Sequence, residues 1–283
     1  AVVLIDGLIA PVSDDVVARR IYKRAKDGDY YLWREVRANE DLCYDYEEPF
    51  DTASEGTLLN EAQRALPTPR ILEFFRGRSY SVTAQDPAIV NYSDSGFPEQ
   101  QSSAFQFLDV ASSDGEPVID IVAFQDSLLV LKPSSLYFIS TSRSAVPILT
   151  PVSEQFGCIA PRSTVVAFDR CYFIGVDGIY YFDGSTVRPL STRLNSWWRN
   201  NIESGRLSEA VSWLEEADRR LYFAVSTGPK AYNDTVICYE IESGAFSMLG
   251  GHQIHSAARW KNNTILGVEK ADGDGELVIL GPG

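Results

Sequence analysis

Two histidines, His252 and His255, stand three residues apart in Gly250-Gly251-His252-Gln253-Ile254-His255-Ser256. On a helix that spacing would put both rings on one face, where they could share a metal ion. The surrounding residues read as loop and strand, and in a strand positions i and i+3 point to opposite faces. No acidic or cysteine ligand lies close by in sequence, so both read as structural or surface histidines. A serine nucleophile has no better footing. There is no G-x-S-x-G elbow, and no glycine-rich G-x-x-x-x-G-K-[ST] phosphate loop. The run Ala271-Asp272-Gly273-Asp274-Gly275-Glu276 has part of the oxygen-ligand pattern of a calcium loop. It is shorter than an EF-hand loop and reads as an acidic hairpin turn. Ser93-Asp94-Ser95-Gly96 weakly resembles the turn motif of sialidase propellers, and it occurs once rather than in every repeat. The expectation is therefore no catalytic, no cofactor-binding and no metal-ligating residue, and no cofactor.

Charge narrows the classes further. Lys and Arg number 25 against 39 Asp and Glu, a net charge of −14. A protein that grips a phosphate backbone needs the opposite balance. The acids concentrate between Arg37 and Arg64, where Glu40, Asp41, Asp45, Glu47, Glu48, Asp51, Glu55 and Glu61 meet no basic residue. Such a run reads as a solvated linker or as the wall of an acidic channel. Arg19, Arg20, Lys23, Arg24 and Lys26 form a basic cluster on one predicted strand and its turn, which alternation divides between two faces.

Cys43, Cys158, Cys171 and Cys238 have no C-x-x-C spacing in a chain of 283 residues, and read as reduced, mostly buried small hydrophobes. No apolar run reaches the 18 residues of a membrane-spanning helix. The chain opens at Ala1 inside the run Ala1-Val2-Val3-Leu4-Ile5, as a fragment or processed product of a longer chain would.

The elements that hold these residues repeat. With the sequence displaced by 44 residues, Ile121-Val122-Ala123-Phe124-Gln125-Asp126 falls on Val165-Val166-Ala167-Phe168-Asp169-Arg170, and Tyr137-Phe138 on Tyr181-Phe182. Each copy reads as an apolar strand ending in an aromatic, a polar turn, an apolar strand, a turn and an aromatic strand. Three weaker copies follow, beginning at Ile71, Val211 and Ala257. The anchoring aromatics are Phe75, Phe124, Phe168, Trp213 and Trp260. A period near 45 suits a four-stranded propeller blade, and Val, Ile, Tyr, Phe and Trp are dense in each run. A β-sandwich with recurring hairpins is the alternative. Two segments depart from the repeat. Residues 191–202 read as a helix capped by Ser191, with Leu194, Trp197, Trp198 and Ile202 at helical spacing. Residues 1–68 read as a small β-sandwich-like module with strands at 2–5, 16–24, 30–36 and 42–46, turns at Asp6-Gly7 and Asp27-Gly28, and a join at Leu66-Pro67-Thr68-Pro69. Residues 69–283 then form the propeller-like domain. The fold class is all-β: about five blade repeats, the N-terminal module and one inserted short helix.

Four stretches resemble phage virion proteins of the tail-nozzle or head-to-tail connector type, which carry a β-propeller. They are Ala18-Arg19-Arg20-Ile21-Tyr22-Lys23-Arg24; Tyr92-Ser93-Asp94-Ser95-Gly96-Phe97-Pro98-Glu99; Asp126-Ser127-Leu128-Leu129-Val130-Leu131-Lys132 running into Leu136-Tyr137-Phe138-Ile139; and Gly157-Cys158-Ile159-Ala160-Pro161-Arg162-Ser163, followed by Asp177-Gly178-Ile179-Tyr180-Tyr181-Phe182-Asp183-Gly184. The likeness runs from about residue 18 to 185. It implies a structural, non-enzymatic virion protein of the tail, assembled in the host cytoplasm. Its partners would be copies of itself in a ring, neighbouring tail or adaptor proteins, and fibres or spikes, with DNA passing through and not bound by sequence. It implies no small-molecule substrate. An acidic wall would suit a sliding genome, because it withholds the phosphate contacts that basic side chains make. Two other classes remain: a propeller glycoside hydrolase of sialidase type, which needs an arginine triad and a tyrosine nucleophile, and a cellular propeller scaffold for protein partners.

Overall fold

The computed structural model describes residues 68–101, 105–140, 146–228, 232–260, 263–269 and 274–280, apart from the side chain of His252, and the backbone of strands within 2–65. The chain divides into two compact units, Ala1–Leu66 with Tyr92–Gln106, and Pro67–Asn91 with Phe107–Gly283.

In the first unit, β1 (Val2–Ile5) pairs antiparallel with β4 (Cys43–Tyr46), and β2 (Ala18–Arg24) with β3 (Tyr30–Arg37). These strands match the expected ones to within two residues. The turns expected at Asp6-Gly7 and Asp27-Gly28, and the join at Leu66-Pro67, lie outside the described residues. So does Lys26, and so does the acidic run apart from Asp45 on β4.

The second unit is all-β with one short helix. Short β5 (Arg64–Ala65) leads to its first sheet: β6 (Ile71–Phe75), β7 (Arg78–Val82) and β8 (Ile89–Tyr92). The chain then returns to the first unit, where β9 (Gln100–Gln101) pairs with β5, before β10 (Phe107–Asp109) closes that sheet beside β8. The second sheet is β11 (Asp120–Phe124), β12 (Ser127–Leu131), β13 (Leu136–Ser140) and β14 (Ile148–Ser153). The third is β15 (Val165–Ala167), β16 (Arg170–Gly175), β17 (Gly178–Phe182) and β18 (Val187–Pro189). Each has four antiparallel strands joined to their neighbours, and the first strands stand side by side, β6 by β11 and β11 by β15. This is the propeller-like array. Its second strands show why the sheets stack. In Ser127–Leu131 and Arg170–Gly175 every residue after the first is buried, because sheets cover both faces of the strand. The alternation of β6 and the exposure of β10 mark strands with open sides. Burying each Leu, Ile or Phe of these central strands contributes about 1.5–3 kcal/mol.

The fourth and fifth repeats share one sheet. After β19 (Val211–Glu215), β20 (Arg220–Val225) and β21 (Asn233–Glu240), the chain runs through a single 16-residue strand, β22 (Ala245–Trp260). Its first part pairs with β21 and its later part with β23 (Asn263–Glu269), which pairs with β24 (Gly275–Leu280). The result is six strands in sequence order, with register shifts between Asn233 and Thr235 and between Ile254 and Ser256.

Only two of the five anchoring aromatics are buried, Phe124 and Trp213. Phe124 ends β11 inside a cluster with Phe138 and Phe182, at ring separations of 6.3 and 5.4 Å. Phe168 does not end β15. It opens the turn, with φ of 49° followed by 63° at Asp169, the left-handed pair of a type I′ hairpin. The two turns are thus one residue out of phase with the 44-residue displacement, and Phe168 is 45% exposed. There the guanidinium of Arg219, in the corresponding turn of the fourth repeat, lies 4.6 Å from its ring centre.

The helix is shorter than 191–202. A 3-10 turn over Thr192–Leu194 leads into α1 (Asn195–Asn201), between the third and fourth repeats. Ser191 does not cap it. Its hydroxyl is buried and accepts the Ile179 N–H at 2.9 Å, tying the helix entry to β17. Trp198 is buried among Tyr172, Ile174, Leu221 and Phe223, so the helix wedges between two sheets.

Candidate functional site

The residues first considered for chemistry do not come together. His252 and His255 both lie on β22. His255 Nε2 is 3.0 Å from Glu269 Oε2 on β23, and its carbonyl accepts Arg162 Nη1 at 2.8 Å. The Ser93 motif is a tight turn in which the Phe97 N–H donates to the Asp94 carbonyl, Gly96 has φ of 83°, and the Gln106 amide donates to Asp94 Oδ1 at 2.8 Å. Ala271–Gly273 lie outside the described residues. The strands flanking them are paired down to Glu269 and Gly275, as a hairpin requires. Among the described residues no three His, Cys, Asp or Glu side chains converge as metal ligands. Cys158, Cys171 and Cys238 are free and buried. Burial pushes the Cys158 thiol up to about 11, which suppresses the thiolate a nucleophile would need. No helix among the described residues is long and apolar enough to cross a membrane.

Two polar junctions between sheets went unnoticed in the sequence. The first centres on Lys132, at the end of β12. Its side chain is wholly buried, and Nζ donates to the Val110 carbonyl at 2.7 Å, to the Ala111 carbonyl at 3.1 Å and to the Asp114 carboxylate at 2.7 Å. Its own carbonyl accepts the Cys158 N–H at 2.9 Å. One residue thus joins the link between the first and second sheets to the link between the second and third. Ser163 extends the junction: its hydroxyl donates to the Ala160 carbonyl at 2.8 Å and accepts the Ile174 N–H at 3.0 Å. The second junction is acidic. Glu73 on β6 and Asp120 on β11 sit on neighbouring first strands, and both carboxyls are raised, chiefly by burial. Asp120 reaches about 6 although the Thr164 hydroxyl and the Ile121 N–H pull the other way, and the Glu73 charge adds to the rise.

The sign of that shift sets a pH dependence. A carboxyl raised by folding binds its proton more tightly in the native state, so it lowers stability as pH rises from about 4 through about 6. Asp120→Asn is expected to remove this decline. Urea unfolding at several pH values should show the variant gaining on the parent above pH 6, by at most about 3 kcal/mol, with no gain near pH 4.

A concavity lies in the six-stranded sheet. The sheet curls, β19 lying against β22 as well as β20, and one face encloses a pocket of about 700 Å³. Trp213 and Tyr222 are cross-strand partners and stack at 5.2 Å and 9°. Val236, Ile254, Leu266 and Leu280 complete the apolar wall, and Glu215, Asp218, Glu269 and Gln253 supply its polar points. Sequence spacing does not reveal it, because the residues come from six strands and only the curl brings β24 and β19 to one lining.

No protein-family model and no curated protein matches the chain. Among solved structures it resembles YCF48 from Cyanidioschyzon merolae, with 14% identity, a TM-score of 0.50, and coverage of 78% of this chain and 70% of that one. The Pan2 WD40 domain of Neurospora crassa aligns at 12% identity and a TM-score of 0.45, over 76% of this chain and 65% of that one. The likeness is to β-propellers and concerns the fold alone.

Proposed function

We propose that this chain is a structural component of a phage tail, part of a nozzle or connector ring that conducts DNA and docks neighbouring tail proteins. One observation carries the reading. The third and fourth stretches that resemble the family meet at a single junction, where the Lys132 carbonyl of one accepts the Cys158 N–H of the other. That junction locks the second sheet to the third, so the resemblance falls on residues that hold blades together. The net charge of −14 supports a wall along which DNA slides without being held. The test is cryo-electron microscopy of virions from the source. Ring density for this chain on the tail axis is the expected result. Its absence from the particle, or infectious DNA-filled particles made without it, would overturn the reading.

A further inference from the structure

The pocket of the curled sheet has a charge character its apolar wall does not require. Its described lining carries three carboxylates, Glu215, Asp218 and Glu269, and no basic side chain. Asp218 is 3.6 Å from Arg220 and Glu269 is 3.0 Å from His255. Glu215 feels the Arg259 charge, yet its Oε1 is closed off from solvent with no hydrogen-bond partner. Gln253 Oε1 and Trp213 Nε1, on the same lining, are in the same state. A buried polar atom left unpaired costs about 1–3 kcal/mol, and native structures hold few of them. All three atoms are sealed from the pocket's open space, so what the pocket offers a guest is its aromatic wall and the charge of its carboxylates. The stacked Trp213 and Tyr222 rings offer such a guest a flat apolar wall and a negative π face. The volume of about 700 Å³ lies within the range of small-molecule sites.

We propose that this pocket binds a small amphipathic cation, an aryl or alkyl body carrying one ammonium group. The body lies against Trp213, Tyr222 and Leu266, and the ammonium sits in the field of the Glu215, Asp218 and Glu269 carboxylates. Charge complementarity selects this occupant: an anion would meet three carboxylates, and a neutral guest would draw nothing from them.

The test uses the whole chain, labelled with 15N at tryptophan. The Trp213 indole N–H signal is assigned by its loss in Trp213→Phe. Three matched probes are titrated at neutral pH: 3-phenylpropylamine, 3-phenylpropan-1-ol and 3-phenylpropanoate. The amine is expected to shift the Trp213 signal with a dissociation constant below about 1 mM, at least about tenfold tighter than the alcohol. The propanoate should bind more weakly still. Glu215→Gln should bring amine and alcohol within about twofold of each other while leaving the alcohol unchanged. Val278→Trp, which fills the pocket from the outer strand, should abolish the shift with all three. If Glu215→Gln does not fold, the order of the three probes on the parent and the Val278→Trp result still decide. Equal binding of the three, or no movement of the Trp213 signal with any, overturns the proposal.

Discussion

Gly157→Val is expected to destabilise the second unit by about 3 kcal/mol or more, or to prevent it from folding. A Cβ at Gly157 would stand 2.2 Å from the Lys132 carbonyl oxygen and 2.5 Å from the carbonyl carbon and oxygen of Pro133. All three atoms are backbone. No side chain can swing aside, so the chain itself must move. The first thing to move is the hydrogen bond from the Cys158 N–H to the Lys132 carbonyl, which joins the second sheet to the third. Gly228→Ala is the control, because nothing lies within 4 Å of its would-be Cβ, and it should stay within about 0.5 kcal/mol of the parent. Thermal and urea unfolding of the two variants check the contrast. Equal stability would show that the crossing tolerates a side chain and that the sheets are not locked there.

Lys132→Met is the second large effect, expected at about 3 kcal/mol. Methionine keeps the apolar stem but removes all three donors. The Val110 carbonyl loses its partner inside the protein, and the link through Ala111 to Asp114 is cut from the second sheet. The cost falls at the lower end of the range for a broken buried pair because Asp114 keeps 35% of its side-chain surface in water. Asp114→Asn should cost less, since an amide oxygen still accepts from Nζ. Burial alone would raise the Asp114 carboxyl, yet the Lys132 ammonium and the Glu116 N–H outweigh it and hold it below its ordinary value. The stability it contributes is therefore present above about pH 4 and disappears as pH falls through its lowered native value. Urea unfolding of parent and both variants from neutral to acid pH measures both effects. An acid-sensitive component that survives in Lys132→Met would show that the pair is not its source.

Repetition and strand composition were legible because they depend on spacing. The strands at Ile121 and Val165, the later hairpins and the position of the helix follow from the alternation of apolar runs and turn residues. Phase was harder. Because side chains in a strand alternate with period two, a one-residue offset sends an aligned aromatic to another environment. Phe124 and Phe168 align in sequence yet occupy a core and a turn. The end of the repeat was legible only as a repeat. Nothing in Ala245–Trp260 marks it as one continuous strand, since Gly250-Gly251 reads as a break. Lys132 gave no signal either. A lysine after Leu128-Leu129-Val130-Leu131 looks like the solvated end of a strand, and its burial depends on three acceptors supplied by Val110 to Asp114. The pocket shares that character, being assembled from six strands.

The long strand β22 changes how the end of the array should come apart. In most repeat proteins each unit meets the next through a side-chain interface, so a terminal unit can fray while its neighbour persists. Here the last two units share one backbone, and opening the later hairpin pulls on the strand that also pairs with β21. Native-state hydrogen exchange should find β21 to β23 behaving as one cooperative foldon, with no step between the fourth repeat and the fifth. Tension applied at the end of the array would likewise load the two repeats as a single mechanical element.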